Sequence, residues 1–332
     1  MTAPIPDETS VREAAATLDR LQDHIGQAVI GRSVSVELLT VALLCGGHIL
    51  LEDVPGTGKT LLAKAFARSL GLSFRRIQFT PDLLPSDITG SQIFDQRAGD
   101  FSFRPGPVFA HVVLADEINR ATPRVQSALL EAMEERQVTV DGVTRPLDRP
   151  FIVLATENPV EFEGTFPLPE AQLDRFLMRV SQGYPGAAEE DAILRQAGGN
   201  AALDRLVPLL TADDIGSLGT TAERVHVADD VRRYLLAFVR RTREHPQIGL
   251  GASPRAGLAL LRAAQALACL RGRAYVTPDD IKELARPVLE HRMVISAEAR
   301  LKARDTGALI DEMLAAIAVP VEDPVRMVPR HA

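Results

Sequence analysis

Between residues 48 and 71 an apolar run, His48-Ile49-Leu50-Leu51-Glu52, meets a glycine-rich turn, Pro55-Gly56-Thr57-Gly58-Lys59-Thr60. A stretch of helix-forming residues follows and stops at Gly71. A buried strand, a tight loop and a helix in that order predict a βα unit of a parallel sheet. Gly56 and Gly58 let the backbone turn sharply and approach a ligand without a Cβ in the way. The loop then aims backbone N–H groups, and the positive end of the helix, at an anion. A lysine and a hydroxyl residue at the helix start suit a nucleoside triphosphate. Lys59 reaches the β and γ phosphates, and Thr60 supplies an oxygen to Mg2+. Asp53 departs from the general pattern, which has glycine there; at the strand end its carboxylate is expected to point away from the phosphates.

Four further apolar runs predict strands over Ser73–Thr80, His111–Ala115, Phe151–Thr156 and Phe176–Val180, with helical stretches between them. Thr122 before Pro123 reads as a helix start, with Val125, Leu129 and Met133 on one face. Strands alternating with helices give a doubly wound parallel sheet. After Tyr184-Pro185-Gly186 the strand signals fade, and the rest is rich in Ala, Leu and Arg. The organisation expected is a tail over 1–12, an α/β nucleotide-binding core over 13–185 and a helical lid over 186–332.

The strand from His111 ends in Asp116-Glu117. Asp116 is placed to hold Mg2+ through its water shell, and Glu117 to polarise the attacking water as general base. The strand from Phe151 ends in Glu157-Asn158-Pro159. Ligands of parallel sheets collect at the carboxyl ends of strands, so Asn158 is placed to orient that water.

Taken together, these motifs resemble the AAA+ ATPases, and among them the MoxR family. The resemblance rests on Arg76-Ile77-Gln78-Phe79-Thr80-Pro81-Asp82-Leu83-Leu84-Pro85-Ser86-Asp87, Gly106-Pro107-Val108-Phe109, Asp116-Glu117-Ile118-Asn119-Arg120, Pro169-Glu170-Ala171-Gln172-Leu173-Asp174-Arg175-Phe176 and Gly251-Ala252-Ser253-Pro254-Arg255. It implies a P-loop AAA+ fold with a C-terminal helical lid. It also implies Asn158 as the sensor-1 residue, Arg175 as the arginine finger and Arg255 as the sensor-2 arginine. In the first turn of a helix Arg255 sits where a cation is disfavoured, which suggests an anion close by. The family pattern further implies an adenine pocket near Val29 and Ile30, so the residues expected to hold the nucleotide are these two with Pro55, Gly56, Thr57, Gly58, Lys59, Thr60 and Leu61.

The resemblance implies a hexameric ring, a separate partner bearing a von Willebrand factor A domain and a protein client that is remodelled, matured or activated. Two segments fit hairpin insertions of this branch: Ile93 to Phe103, and Val138 to Thr144 with its Asp141-Gly142 turn. A nucleic-acid motor or loader and a metal-chelatase-like ATPase subunit stay open as alternatives. A formal charge of -7, from 37 Lys+Arg against 44 Asp+Glu, weighs against nucleic acid. Two separated cysteines in apolar surroundings, Cys45 and Cys269, and a first segment MTAPIPDETS without basic or apolar character point to the cytoplasm. The longest apolar run, Leu38 to Gly47, is too short to span a membrane.

Overall fold

In a computed structural model the described residues are 6–52, 56–96, 99–158, 164–181, 183–195 and 201–320. The strands in chain order are β1 (Ile49–Glu52), β2 (Phe74–Gln78), β3 (Gly90–Asp95), β4 (Asp100–Pro105), β5 (Val112–Asp116), β6 (Gln137–Val140), β7 (Val143–Pro146), β8 (Ile152–Glu157) and β9 (Met178–Val180). Five of them form one parallel sheet in the order β2-β5-β8-β1-β9. These are the five strands expected from the apolar runs.

Side chains one apart on a strand point to opposite faces, so each central strand feeds two cores. Ile49, Leu51, Val112, Leu114, Ile152 and Leu154 face one core. That side is covered by α1 (Glu8–Gly26), α2 (Ser33–Leu44), α3 (Lys59–Ser69) and the C-terminal helices. Leu50, Val113, Ala115, Val153 and Ala155 face the other core, with Phe79 and Val125, Leu129 and Met133 of α5 (Pro123–Glu135). The short helix between, α4, spans Pro85–Thr89. Both faces are dry, which is why the central runs are apolar throughout rather than alternating.

The expected tail runs too far. Residues 8–12 are the opening turns of α1, and Val11 is fully buried. Asp7 caps the helix, its carboxylate accepting from the Ser10 N–H at 2.6 Å. Val11, Ala14, Leu18, Leu21 and Ile25 then form a helical stripe against the core. Proline and threonine content masked that stripe.

Both expected hairpins form. Asp141 and Gly142 carry φ of 50° and 78°, the paired positive values that a two-residue turn needs to match strand twist. At the base of the β3–β4 hairpin two glycines meet. A Cβ on Gly90 would lie 2.3 Å from the Arg104 carbonyl, and one on Gly106 would lie 2.2 Å from that of Ile88. The Arg145 guanidinium stacks 3.9 Å over the Phe103 ring and ties the two hairpins together.

Beyond β9 the chain is helical: α6 (Glu170–Leu173) precedes β9, and α7 (Ala187–Arg195), α8 (Ala201–Arg205), α9 (Ala212–Glu223), α10 (Asp229–Glu244), α11 (Pro254–Leu270) and α12 (Pro278–Leu289) follow it. A two-stranded antiparallel pair, Ile248–Leu250 with Val294–Ile295, lies among these helices. Strands of three and two residues are too short to leave a periodic signal.

Two buried histidines brace the sheet. His48 Nδ1 accepts from the Val153 N–H at 3.0 Å and Nε2 donates to the Met133 carbonyl at 3.1 Å, which fixes a neutral ring. His291 donates through Nε2 to the Phe176 carbonyl at 3.0 Å. Burial, reinforced by Arg136 and Arg292 respectively, pushes each pKa down to about 3. The unfolded chain takes up these two protons near pH 6.5 and the folded chain does not. Their contribution is therefore complete above pH 6.5 and is lost as pH falls from there towards 3. Each histidine removes about 1.4 kcal/mol per pH unit inside that window. Urea unfolding should show a loss of roughly 2–3 kcal/mol between pH 7.5 and 5.5, above the carboxylate range, and His48→Gln should remove about half of that slope. A stability flat over this interval would contradict the neutral assignment.

Candidate nucleotide site

Gly56 and Gly58 have φ of 84° and 86°, and a Cβ on either would meet nothing within 4 Å. Backbone conformation, not space, demands glycine here. Gly58 is the N-cap of α3 and no side chain caps that helix, so its first N–H groups face the loop's concavity. The loop is held from behind by Arg32, which is buried. Its guanidinium donates to the Thr57 carbonyl at 3.0 Å and to the Gly183 carbonyl at 3.1 Å. Asp53 and Pro55, both singled out from the sequence, lie outside the described residues.

Two connected cavities meet at this loop. The first, about 510 Å³, is lined by Gly56 to Leu61 together with Lys64, Arg76, Asp116, Glu117 and Asn158. The second, about 580 Å³, shares Gly56, Thr57, Gly58 and Leu61 with it and continues over Val29, Ile30, Tyr184, Glu190 and Ile193. The first is polar and the second largely apolar, as a triphosphate and a base require. Of the residues singled out from the sequence, Gly56, Thr57, Gly58, Lys59, Thr60 and Leu61 line the first cavity, and Val29 and Ile30 line the second.

Strand tips supply the opposite wall. Thr156, buried on β8, fixes the acidic pair on β5: its hydroxyl accepts from the Glu117 N–H at 2.8 Å and donates to Asp116 Oδ1 at 2.6 Å. Asp116 Oδ2 accepts from Arg76 Nε at 3.0 Å and Nη2 at 2.6 Å. Glu117 has φ 59°, a conformation uncommon outside glycine and frequent at functional sites. Its Oε2 accepts from Gln78 Nε2 at 3.0 Å and pairs with Arg120 Nε at 3.2 Å. Asn158, buried at the end of β8, completes the wall. Nearby, burial and the Glu52 charge raise the pKa of Glu157, which pairs with Glu52 across β1 and β8.

In the sequence Arg76 and Gln78 stand out only as part of a longer motif. The β2–β5 register places Gln78 beside Asp116 and Arg76 two residues back on the same face. An arginine and a glutamine two apart in a strand was the available signal, and it needs the pairing partner to acquire meaning.

Arg175 and Arg255 do not line the phosphate cavity of their own chain. They meet at the other end of the sheet, where β1 and β9 begin, around a cavity of about 220 Å³ that also touches Gly46, His48 and Arg136. Glu134, in the last turn of α5, joins them. Arg175 Nε pairs with its Oε2 at 2.8 Å, and Arg255 Nη1 with its Oε1 at 2.9 Å. The anions beside Arg255 within the chain are therefore Glu134 and, at 3.8 Å, Asp174.

The chain and its fold have counterparts among known proteins. Residues 48–178 match the family described as "ATPase family associated with various cellular activities (AAA)", and residues 240–313 match an AAA lid domain. The chain is 48% identical over 305 residues to the uncharacterised protein YeaC of Bacillus subtilis, covering 92% of this chain and 95% of that one. It is 42% identical over 313 residues to the chaperone MoxR1 of Mycobacterium tuberculosis, covering 92% and 82%. The crystal structure of a candidate ATPase from Cytophaga hutchinsonii superposes with a TM-score of 0.88 at 39% identity, covering 95% of this chain and 98% of that one.

Proposed function

The chain belongs to the MoxR family of AAA+ ATPases, and from that premise we propose that it hydrolyses ATP in a ring of identical subunits and spends the turnover on remodelling or activating a protein client. One observation carries the hydrolytic part: the phosphate loop, Asp116-Glu117 and Asn158 line a single cavity. Lys59 binds the terminal phosphates, Glu117 accepts the proton of the attacking water, and Asn158 orients that water. Thr60 and Asp116 offer oxygen donors in the same cavity, a set that fits Mg2+. When bound, the ion neutralises charge on the phosphates.

The ring is supported by where Arg175 and Arg255 stand. Neither lines the phosphate cavity of its own chain, and both stand together at a separate cleft, which leaves them to serve a neighbour's loop if each nucleotide sits between two subunits. We take six subunits and a separate partner with a von Willebrand factor A domain from the family pattern, and a cytoplasmic setting from the cysteines and the first segment. Among the described residues no helix is long and apolar enough to cross a membrane.

Phosphate release from ATP should require Mg2+ and vanish with EDTA, and duplex DNA should leave the rate unchanged. A DNA stimulation that weakens with salt would favour a nucleic-acid motor instead. Absence of hydrolysis in the assembled protein would contradict the reading.

A further inference from the structure

Two arginines from distant parts of the chain share one carboxylate, an oxygen each, and that sharing needs an explanation. The backbone around Arg175 is already fixed. Arg292, whose side chain is only 4% exposed, donates to the Phe176 carbonyl at 2.7 Å and the Asp174 carbonyl at 3.2 Å, and pairs with Asp174 Oδ1 at 2.9 Å. His291 holds the Phe176 carbonyl as well, and Phe176 itself is fully buried. Arg255 is fixed in the same way, since Pro254 and the Ser253 cap set the start of α11, with Ser253 Oγ accepting from Ala256 at 3.1 Å. What remains free in both residues is the long side chain, which carries about 2 kcal/mol of rotamer entropy.

Resting on the inter-subunit reading above, we propose that Glu134 is the positioning residue that aims Arg175 and Arg255, as a pair, at the triphosphate bound by the neighbouring subunit. It acts through the arginines and touches no phosphate. An arginine gripped through Nε keeps its two terminal NH2 groups for a second anion, and bidentate pairing of that kind is what guanidinium does best. Arg175 is gripped in this manner. Glu134 does not neutralise the cleft, because Arg136, Arg262 and Arg292 line it too, against only Glu134 and Asp174. Its carboxyl is held below the usual carboxylate range, mainly by the bond from Arg255 against the cost of burial, with Arg175 adding to the effect. The tether thus stays charged at working pH, and the cleft stays net positive.

An ion pair that served only stability would behave differently from a tether on a catalytic pair. Glu134→Gln keeps the shape and removes the charge. In assembled rings it should leave ATP affinity within twofold by calorimetry and lower kcat by about 10²-fold, the order of loss that a misplacement of 1 Å can produce. Glu134→Asp, which restores the charge one methylene short, should recover part of kcat. In the Arg175→Ala background Glu134→Gln should cost much less than it costs the wild type, because only Arg255 is left for it to position.

A Glu134→Gln kcat within twofold of wild type, with Arg175→Ala inactive, would overturn this proposal and leave the inter-subunit reading standing. Arg175→Ala at full activity would instead remove that reading itself. A Glu134→Gln loss that adds fully to the Arg175→Ala loss, or that follows ring dissociation, would assign Glu134 a structural role and overturn the proposal. Should Glu134→Gln not fold, Glu134→Asp decides alone: reduced kcat at unchanged ATP affinity supports the tether, and full kcat refutes it.

Discussion

Lys59→Ala should lose ATP binding, whereas Glu117→Gln should bind ATP and hold it unhydrolysed. The two side chains line one cavity but do different work. Lys59 stands at the first position of α3, where its ammonium adds to the N–H groups that already favour an anion. Removing one member of a desolvated, hydrogen-bonded charge pair costs roughly 2–5 kcal/mol, so Kd should rise by about 30-fold to several thousandfold. Glu117 is tied to Gln78, Arg120 and the Thr156 hydroxyl. A glutamine there keeps much of that bonding but cannot accept the proton, a loss of about 10²–10⁴-fold in rate for a general base. Isothermal calorimetry separates the two outcomes, and equal loss of affinity in both variants would contradict the assigned roles.

Arg175→Ala should be nearly inactive while binding ATP with unchanged affinity. A cation that meets the γ phosphate as charge builds up during transfer is worth about 10³–10⁵ in rate in well-characterised cases. Arg175 is not among the described residues that line the chain's own nucleotide cavity, so affinity has no reason to fall. The substitution also leaves Glu134 paired with Arg255 at 2.9 Å, which avoids stranding a carboxylate in the cleft. Phosphate release and ATP binding measured on the same preparation test this. A parallel fall in both would mean that Arg175 supports the fold rather than the reaction.

Much of the α/β core was legible before any coordinates. Runs such as Val112 to Ala115 and Ile152 to Ala155 are apolar because both faces of the sheet are covered, and that shows in one sequence. The phosphate loop and the acidic pair were legible because their chemistry sits on consecutive residues. What could not be read depends on pairing. Arg76 gains its role only when β2 is set beside β5, and Thr156 only when β8 is set on the other side. The apolar cavity proposed for the base needs Tyr184 and Ile193 brought back over Val29, a matter of where the chain turns after β9. The contact of Arg175 and Arg255 through Glu134 spans three segments, and no local pattern announces it. The first turns of α1 escape a reading of the sequence for a different reason: the proline and threonine content of the opening residues hides Val11, the one residue there that decides burial.

The central claim, that a working site is built from two subunits, is tested most directly by mixing two inactive variants. Arg175→Ala keeps its phosphate loop, and Lys59→Ala keeps its arginine. In a mixed ring some interfaces bring the intact loop of one chain against the intact Arg175 of the next. Phosphate release should therefore recover in part on mixing and rise with protein concentration as mixed rings form. No recovery, in rings shown to contain both variants, would place Arg175 outside the neighbouring site and contradict the account.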